Sequence, residues 1–523
     1  ASAPRTDHQM AISIDDVSKA IKSLNKGKKD GGGIFSTDHL IHGGPLLWAT
    51  ISHIFSAMLR HGYTPTPMLA SVVVPIPKNL RKSLSDSSNY RGIALNSPLS
   101  KLFELILLNM HRASFATSNL QFGFKQKTST TQCTFVMMEI VQYYLNRDTP
   151  VYCMLLDASQ AFDNLQYVKL FRCLLDKDLN PIICRVLLHM HIGQAVSVRW
   201  GRTTSPTFRV RNGVKQGGIL SPILFTLYAD MLLDKVKECG QGCHIGRTFT
   251  GAVAYADDIS LLAPTRTALT ALLQAASLAG KDLSIKFNAA KSQLVKFVPA
   301  GTSRTHEPSI EFNDQSIPFS DSAIHLGHYV GQRQRSESVE RSTRDFYSRF
   351  NAMISKFTHC NVHVKYQLLR SYCMCVYGSS LWDFADPSTE TFYVAWRKCI
   401  RRLLGVPNTT HCRLLPLILG DLPVQQQLHC RFTKFFSSCL RSDNSLIRLC
   451  STLALNGSQS SVGNSITYLC ETYDLIRDAW PQRLKIQPEA RDTTSAAIRD
   501  FIALRDASHD EDIIFIINVL CTE

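Results

Sequence analysis

Two hydrophobic periods run through this chain, and the places where one gives way to the other mark its elements. Val17, Ala20, Ile21 and Leu24 recur at helical spacing behind Ser13 and Asp16, which predicts a capped amphipathic helix ended by Gly27. Ser97 precedes Pro98 at the first position of a second helix, whose apolar face is Leu99, Leu102, Phe103, Ile106 and Leu107. A polar cluster at 128–131 caps a third, carrying Val136, Met137, Ile140, Val141 and Tyr144, and Ser221 with Pro222 starts a fourth. Shorter apolar runs read as strands. Residues 71–78 form one, and Pro75 and Pro77 confine it to the border of a sheet.

Two runs end in carboxylates. Val151 to Leu156 is continuously apolar and stops at Asp157, the pattern of a central strand that delivers its last side chain to a sheet edge. Ala252–Ala256 and Ile259–Ala263 are apolar on either side of Asp257 and Asp258, so the acidic pair occupies a tight hairpin turn. An acidic hairpin tip alone is most simply a solvated turn. With the Asp157 strand alongside, the carboxylates converge and their repulsion calls for cations. Two Mg²⁺ ions about 3.5–4 Å apart would neutralise them and clamp an in-line phosphoryl displacement. Because neighbouring side chains on a strand face opposite ways, Asp257 is assigned the primary role with Asp157, and Asp258 a weaker one.

Charge adds a partner class. Lys and Arg number 57 against 42 Asp and Glu, a net charge of +15. The segment from Ile486 onward is acidic, which leaves the rest of the chain near +20. A body this basic fits a polyanion, most simply nucleic acid. Arg199, Arg202, Arg209, Arg211 and Lys215, interleaved with Trp200 and Phe208, make a candidate backbone-tracking surface. Sixteen Cys without a secretory signal point to free thiols in a reducing compartment, and no apolar run is long enough for a membrane span. The expectation is an intracellular protein of cytoplasm or nucleus. Cys and His pairs such as His411–Cys412 lack zinc-site spacing and read as structural. Residues 26–33 are a basic glycine loop without Walker spacing, plainly a linker.

The order of motifs carries a resemblance. Asn89–Leu95, Gln121–Lys125, Leu155–Phe162, Gly213–Pro222, Tyr255–Asp258, Asn288–Ser292 and His325–His328 resemble the successive motifs of a reverse transcriptase of the non-LTR, LINE-like retrotransposon branch. The resemblance implies an α+β right-hand polymerase: fingers and palm of antiparallel sheet plus helices, then a helical thumb and a helical C-terminal region. It implies Asp157 and Asp257 as ligands of two Mg²⁺ ions, with Asp258 beside them. Phe162 would block a ribose 2′-OH, and Gln216 would lie near the incoming nucleotide and template. Arg91, with Lys78 nearby, would hold the triphosphate, Lys291 would sit near the leaving pyrophosphate, and Leu326–Gly327 would grip the primer end. The implied partners are an RNA template, a DNA primer or target DNA, and dNTPs. Asp30–Gly33 departs from the family's usual loop, and Ile219 stands where many members have proline.

The boundaries that follow are an N-terminal helical extension at 1–60, fingers and palm at 61–335, a helical thumb and basic connection at 336–455, and a linker with C-terminal tail at 456–523. Within the thumb, the helix holding Arg401 and Arg402 reads equally as a solvated face or as a surface touching the duplex. Residues 456–464 are rich in Ser, Gly and Asn and read as a linker. Two other readings compete with the leading one: a group II intron or retron type enzyme, and a protein that keeps the fold and holds RNA without synthesis.

Overall fold

The computed structural model describes residues 11–159, 162–302, 307–331 and 334–473. The acidic segment and the apolar stretch Ile513–Leu520 lie outside them. The strands that build the site are β1 (Ala70–Pro77), β2 (Tyr90–Asn96), β3 (Val151–Ser159), β4 (Ala195–Trp200), β5 (Ala252–Tyr255), β6 (Asp258–Ala263), β7 (Gln293–Phe297), β8 (Ser322–His325) and β9 (His328–Gly331). The helices used below are α1 (Ile14–Lys22), α2 (Gly44–His61), α3 (Pro98–Met110), α4 (Thr130–Leu145), α5 (Ser221–Glu238), α6 (Arg266–Asp282), α7 (Gln334–Lys356), α8 (Thr389–Leu404), α9 (Val424–Leu440), α10 (Ser445–Leu455) and α11 (Ser461–Thr472).

A central sheet runs β7-β3-β6-β5, antiparallel throughout, with Phe319–Ser320 added parallel to β7 and Lys286–Phe287 paired to the far end of β3. Val151, Cys153, Met154 and Leu156 of β3 are all buried, so both faces of this strand are covered, as its unbroken apolar run requires. Helices α4, α5 and α6 pack against this sheet.

The second sheet runs β2-β1-β4, with β1 antiparallel to β2 and parallel to β4. β1 therefore does not lie at the border over its whole length. Ser71–Val73 is paired on both sides, and only the half beyond Val73, which contains Pro75 and Pro77, is bordered by β2 alone. The prolines lie where the pairing of β1 with β4 stops, because a residue without an N–H cannot complete a second ladder.

The capping box of α1 is formed: the Ser13 hydroxyl accepts from the Asp16 N–H and the Asp16 carboxylate accepts from the Ser13 N–H. This helix stops at Lys22 rather than running to Gly27. The Ser23 N–H and hydroxyl both close onto the Ala20 carbonyl, while Gly27, at φ +70°, opens the next loop and donates to the Asp38 carboxylate. That loop is no linker. Arg199 donates to the Gly31 carbonyl at 2.9 Å, and a Cβ at Gly31 would lie 2.3 Å from Val72, so the loop is pressed onto the β1 sheet.

The expected linker at 456–464 is also corrected. It is a tight reversal between α10 and α11, where the Ser460 hydroxyl caps α11 by accepting from Gly463, and the Ser458 hydroxyl donates to Glu139 on α4 at 3.0 Å. Small polar residues are needed there for capping and close approach; a Cβ at Gly463 would meet the Ser458 carbonyl at 2.1 Å. One continuous hydrophobic core extends from Ile12 to Tyr473.

Candidate active site

The turn between β5 and β6 consists of Ala256 and Asp257, leaving Asp258 as the first residue of β6. In the antiparallel register Asp258 lies directly opposite Asp157 on β3. Facing residues in such a pair point to the same side with Cβ atoms about 4.5–5.5 Å apart, so these two carboxylates share a face. The sequence expectation had Asp157 beside Asp257. The cross-strand partner is instead Asp258, because the reversal uses Ala256 and Asp257, and Asp257 enters the site from the turn.

The three acids feel one another. Asp257 is held above the usual carboxylate range mainly by burial and then by Asp157, opposed by its own backbone N–H and by Arg91. Asp258 is pushed up to about 6 by burial and by the charges of Asp257 and Asp157. The Lys291 ammonium lies 3.8 Å from the Asp157 carboxylate, an exposed and therefore weak pair. The end of β3 is fixed by the 288–292 turn. The Asp157 carbonyl accepts from the Asn288 N–H at 2.8 Å, and its N–H donates to the Ser292 hydroxyl.

Among the described residues no group of three or more His, Cys, Asp or Glu side chains converges into a metal-ligating cluster. Mg²⁺ needs less than that, since it is commonly held by one or two carboxylates with water and substrate phosphates completing the shell. Hard oxygen donors whose charges repel one another fit a divalent cation.

A loop at 213–220 packs against the segment that follows β3 and against β2. Val214 donates to the Phe162 carbonyl at 2.9 Å, and Gly213, at φ +83°, passes so close that a Cβ would lie 2.8 Å from the same oxygen. The Gln216 carbonyl accepts from the Ala94 N–H at 2.7 Å, which ties this loop to β2, the strand that carries exposed Arg91. Lys78 donates to the Ser88 carbonyl at 3.0 Å. Phe162 is half-buried and stacks on Phe225 with ring centroids 4.0 Å apart, so it has both a core contact and an open side.

Helix α5 starts at Ser221 as expected, but its cap comes from elsewhere. The Glu104 carboxylate on α3 accepts from the Ile219 and Leu220 N–H groups at 2.7 and 3.0 Å. Burial raises Glu104 despite those bonds and the nearby Lys215 and Lys101. Nothing in the sequence near Glu104 signals this role, since its partners are more than a hundred residues away.

Leu326 and Gly327 form the tip of the β8–β9 hairpin at φ +50° and +83°, the mirror-image turn favoured between twisted strands. His325 and His328 flank the tip, and burial pulls them down to about 3 and about 4, so both are neutral. Tyr377 locks the tip. Its hydroxyl donates to the Leu326 carbonyl at 2.8 Å and lies 2.7 Å from the Thr130 hydroxyl, while its ring stacks on His328. A lone tyrosine fifty residues downstream carried no sequence signal for this.

Arg401 and Arg402 lie at the end of α8. Arg401 donates to the Thr410 carbonyl and braces the following loop, whereas Arg402 is exposed and bonds Asn351 at 3.0 Å. The two are not equivalent members of one face.

The profile of the reverse transcriptase (RNA-dependent DNA polymerase) family matches residues 76–330, the stretch that holds the central sheet, β2, β4 and the acidic turn. The chain carries a reverse transcriptase domain. It is 25% identical over 263 residues to the Pol polyprotein of the type-1 retrotransposable element R2 of Nasonia vitripennis, covering 49% of this chain and 25% of that protein. The match to the RNA-directed DNA polymerase from mobile element jockey of Drosophila funebris is 22% over 431 residues, 78% of this chain and 46% of that protein. For the probable polymerase from transposon BS of Drosophila melanogaster it is 25% over 466 residues, 83% and 49%. The chain thus spans from a quarter to about half the length of these relatives, which are named as proteins of retrotransposable or mobile elements and transposons. The α+β architecture of the domain is the one expected for a polymerase. Among the described residues no helix is long and apolar enough to cross a membrane, and the described cysteines are all free thiols.

Proposed function

We propose that this protein is an RNA-directed DNA polymerase that extends a DNA primer on an RNA template inside the cell. One observation carries the reading: carboxylates from β3 and from the β5–β6 turn meet at one sheet edge, with Arg91 and Lys291 the cations acting on them. Relatives that cover most of this chain are named RNA-directed DNA polymerases of mobile elements.

In this reading Asp157 and Asp257 hold two Mg²⁺ ions and Asp258 lies beside them. Two such ions, when bound, would neutralise charge on the reacting phosphates and stabilise the attacking and leaving oxygens. Arg91 binds the triphosphate, and Lys291 waits near the departing pyrophosphate, released from Asp157 once the carboxylate has another partner. Gln216 borders the nucleotide and template, Phe162 borders C2′ of the sugar, and Leu326–Gly327 supports the primer end. The fingers and palm span 61–335 and the thumb begins at 336. Arg199, Arg202 and Arg209, with Trp200 against Tyr90 at 5.1 Å, give the template a basic and aromatic face.

The test is extension of oligo(dT) on poly(rA) with Mg²⁺. Asp157→Asn should lose extension by about 100-fold or more while RNA affinity stays within about twofold, since the ligand acts on chemistry. Wild-type extension by Asp157→Asn would overturn the site.

A further inference from the structure

Gln121 is fully buried, with no exposed surface, yet it belongs to no hydrophobic face. Its side-chain carbonyl accepts from the backbone N–H of Gly123 and of Ala256, both at 2.8 Å, and its amide donates to the Ala256 carbonyl at 3.3 Å. Ala256 immediately precedes Asp257 and sits at φ +59°, a left-handed conformation that L residues avoid. One side chain thus binds the peptide groups on both sides of a strained residue. The second of these peptides is the one that carries Asp257.

The segment around Gln121 is built for this contact. Phe122 donates to the Ala254 carbonyl at 2.7 Å and Ala254 donates to the Leu120 carbonyl at 2.8 Å, so residues 120–122 run as a short parallel rung beside β5. A Cβ at Gly123 would lie 2.4 Å from the Ala256 nitrogen, and only glycine lets the chain come so close. The Thr128 hydroxyl donates to the Phe122 carbonyl at 2.7 Å and holds the segment from behind. An amide suits the position on two counts. It can accept and donate at once, and it adds no charge beside Asp257 and Asp258.

We propose that Gln121 is a positioning residue: by clamping both peptides of Ala256 it fixes the direction in which Asp257 presents its carboxylate to metal. This rests on the polymerase reading. Residues that orient metal ligands typically change metal affinity or activity by about 10–100-fold when removed. Gln121→Ala should therefore raise half-saturating Mg²⁺ and lower kcat by about 10–100-fold, with KM for dTTP and affinity for the poly(rA)–oligo(dT) duplex within about twofold of wild type.

Gln121→Glu supplies the second arm. Protonated, it reproduces the acceptor and donor of the amide; ionised, it loses the donor and repels Asp257. Burial beside Asp257 and Asp258 holds such a carboxyl above the usual carboxylate range, so its activity relative to wild type at the same pH should be highest on the acidic side and fall as pH rises. Circular dichroism and duplex binding accompany each variant. Extension by the wild type, with the two variants behaving as described, supports the role. An active wild type whose Gln121→Ala variant keeps its Mg²⁺ dependence, or loses duplex affinity in step with kcat, overturns the role of Gln121 alone. A wild type that extends no primer overturns the polymerase reading, and the role of Gln121 with it.

Discussion

Protonation of Asp258 should gate metal binding in the absence of nucleic acid. Burial and the neighbouring Asp257 and Asp157 push this carboxyl up to about 6, whereas an unfolded aspartate titrates near about 4. The folded chain therefore keeps the proton longer than the unfolded one. This site is most favourable to folding below about 4 and loses stability as pH rises through about 6, because the third negative charge has no countercharge. A divalent cation supplies that countercharge and must displace the proton below about 6. One displaced proton makes affinity fall about tenfold per pH unit, so binding at about pH 5 should be about tenfold weaker than at about pH 7. Calorimetric titration of the protein with Mn²⁺ or Mg²⁺ in buffers that do not bind the metal, at these pH values, measures it directly. Asp258→Asn removes the titrating group, so the dependence should largely flatten. An affinity in the wild type that stays within twofold across the range, or an unchanged slope in Asp258→Asn, would refute the argument.

Further outcomes are expected at Phe162, Arg401, Arg402 and Glu104. Phe162→Val should admit ribonucleotides while keeping deoxynucleotide incorporation, read as the ratio of rNTP to dNTP use. Because Phe162 is half-buried against Phe225, Phe162→Ala should cost only about 1–2 kcal/mol in denaturant melts, below the about 3–5 kcal/mol of a full core phenylalanine. Arg402→Ala should lower the salt slope of duplex binding by about one unit if Arg402 meets a phosphate. Arg401→Ala should instead loosen the loop at 405–412, seen as faster proteolysis there, because its guanidinium holds the Thr410 carbonyl. Glu104→Ala leaves the Ile219 and Leu220 N–H groups without their acceptor and should cost about 1–3 kcal/mol, with weakened dNTP binding as the 213–220 loop shifts.

Much of this molecule was written in local pattern. The capping box at Ser13, the central strand through Asp157, the hairpin around Asp257 and the helix from Ser221 each depend on residues within a few positions of one another, and all four formed, although the strand runs two residues past Asp157 to Ser159 because Ala158 and Ser159 pair with Phe287 and Lys286. Rare motifs in a fixed order fixed the family, because their combination is improbable by chance. What failed locally did so where a distant partner decides. Residues 456–464 read as a linker until Ser458 meets Glu139, and the glycine loop at 31–33 until Val72 and Arg199 press on it.

The site divides in the same way. That Asp157 would lie close to the 257–258 pair was legible, since two apolar strands ending in carboxylates bring those ends together when they pair. Which acid faces Asp157 was decided by strand register, and a two-residue turn moved that place from Asp257 to Asp258. Gln121, Glu104 and Tyr377 act through backbone groups that lie 51 to 135 positions away in the chain. Backbone amides and carbonyls are the same in every residue, so a contact with them leaves no mark on the sequence of the partner, and only the folded chain reveals it.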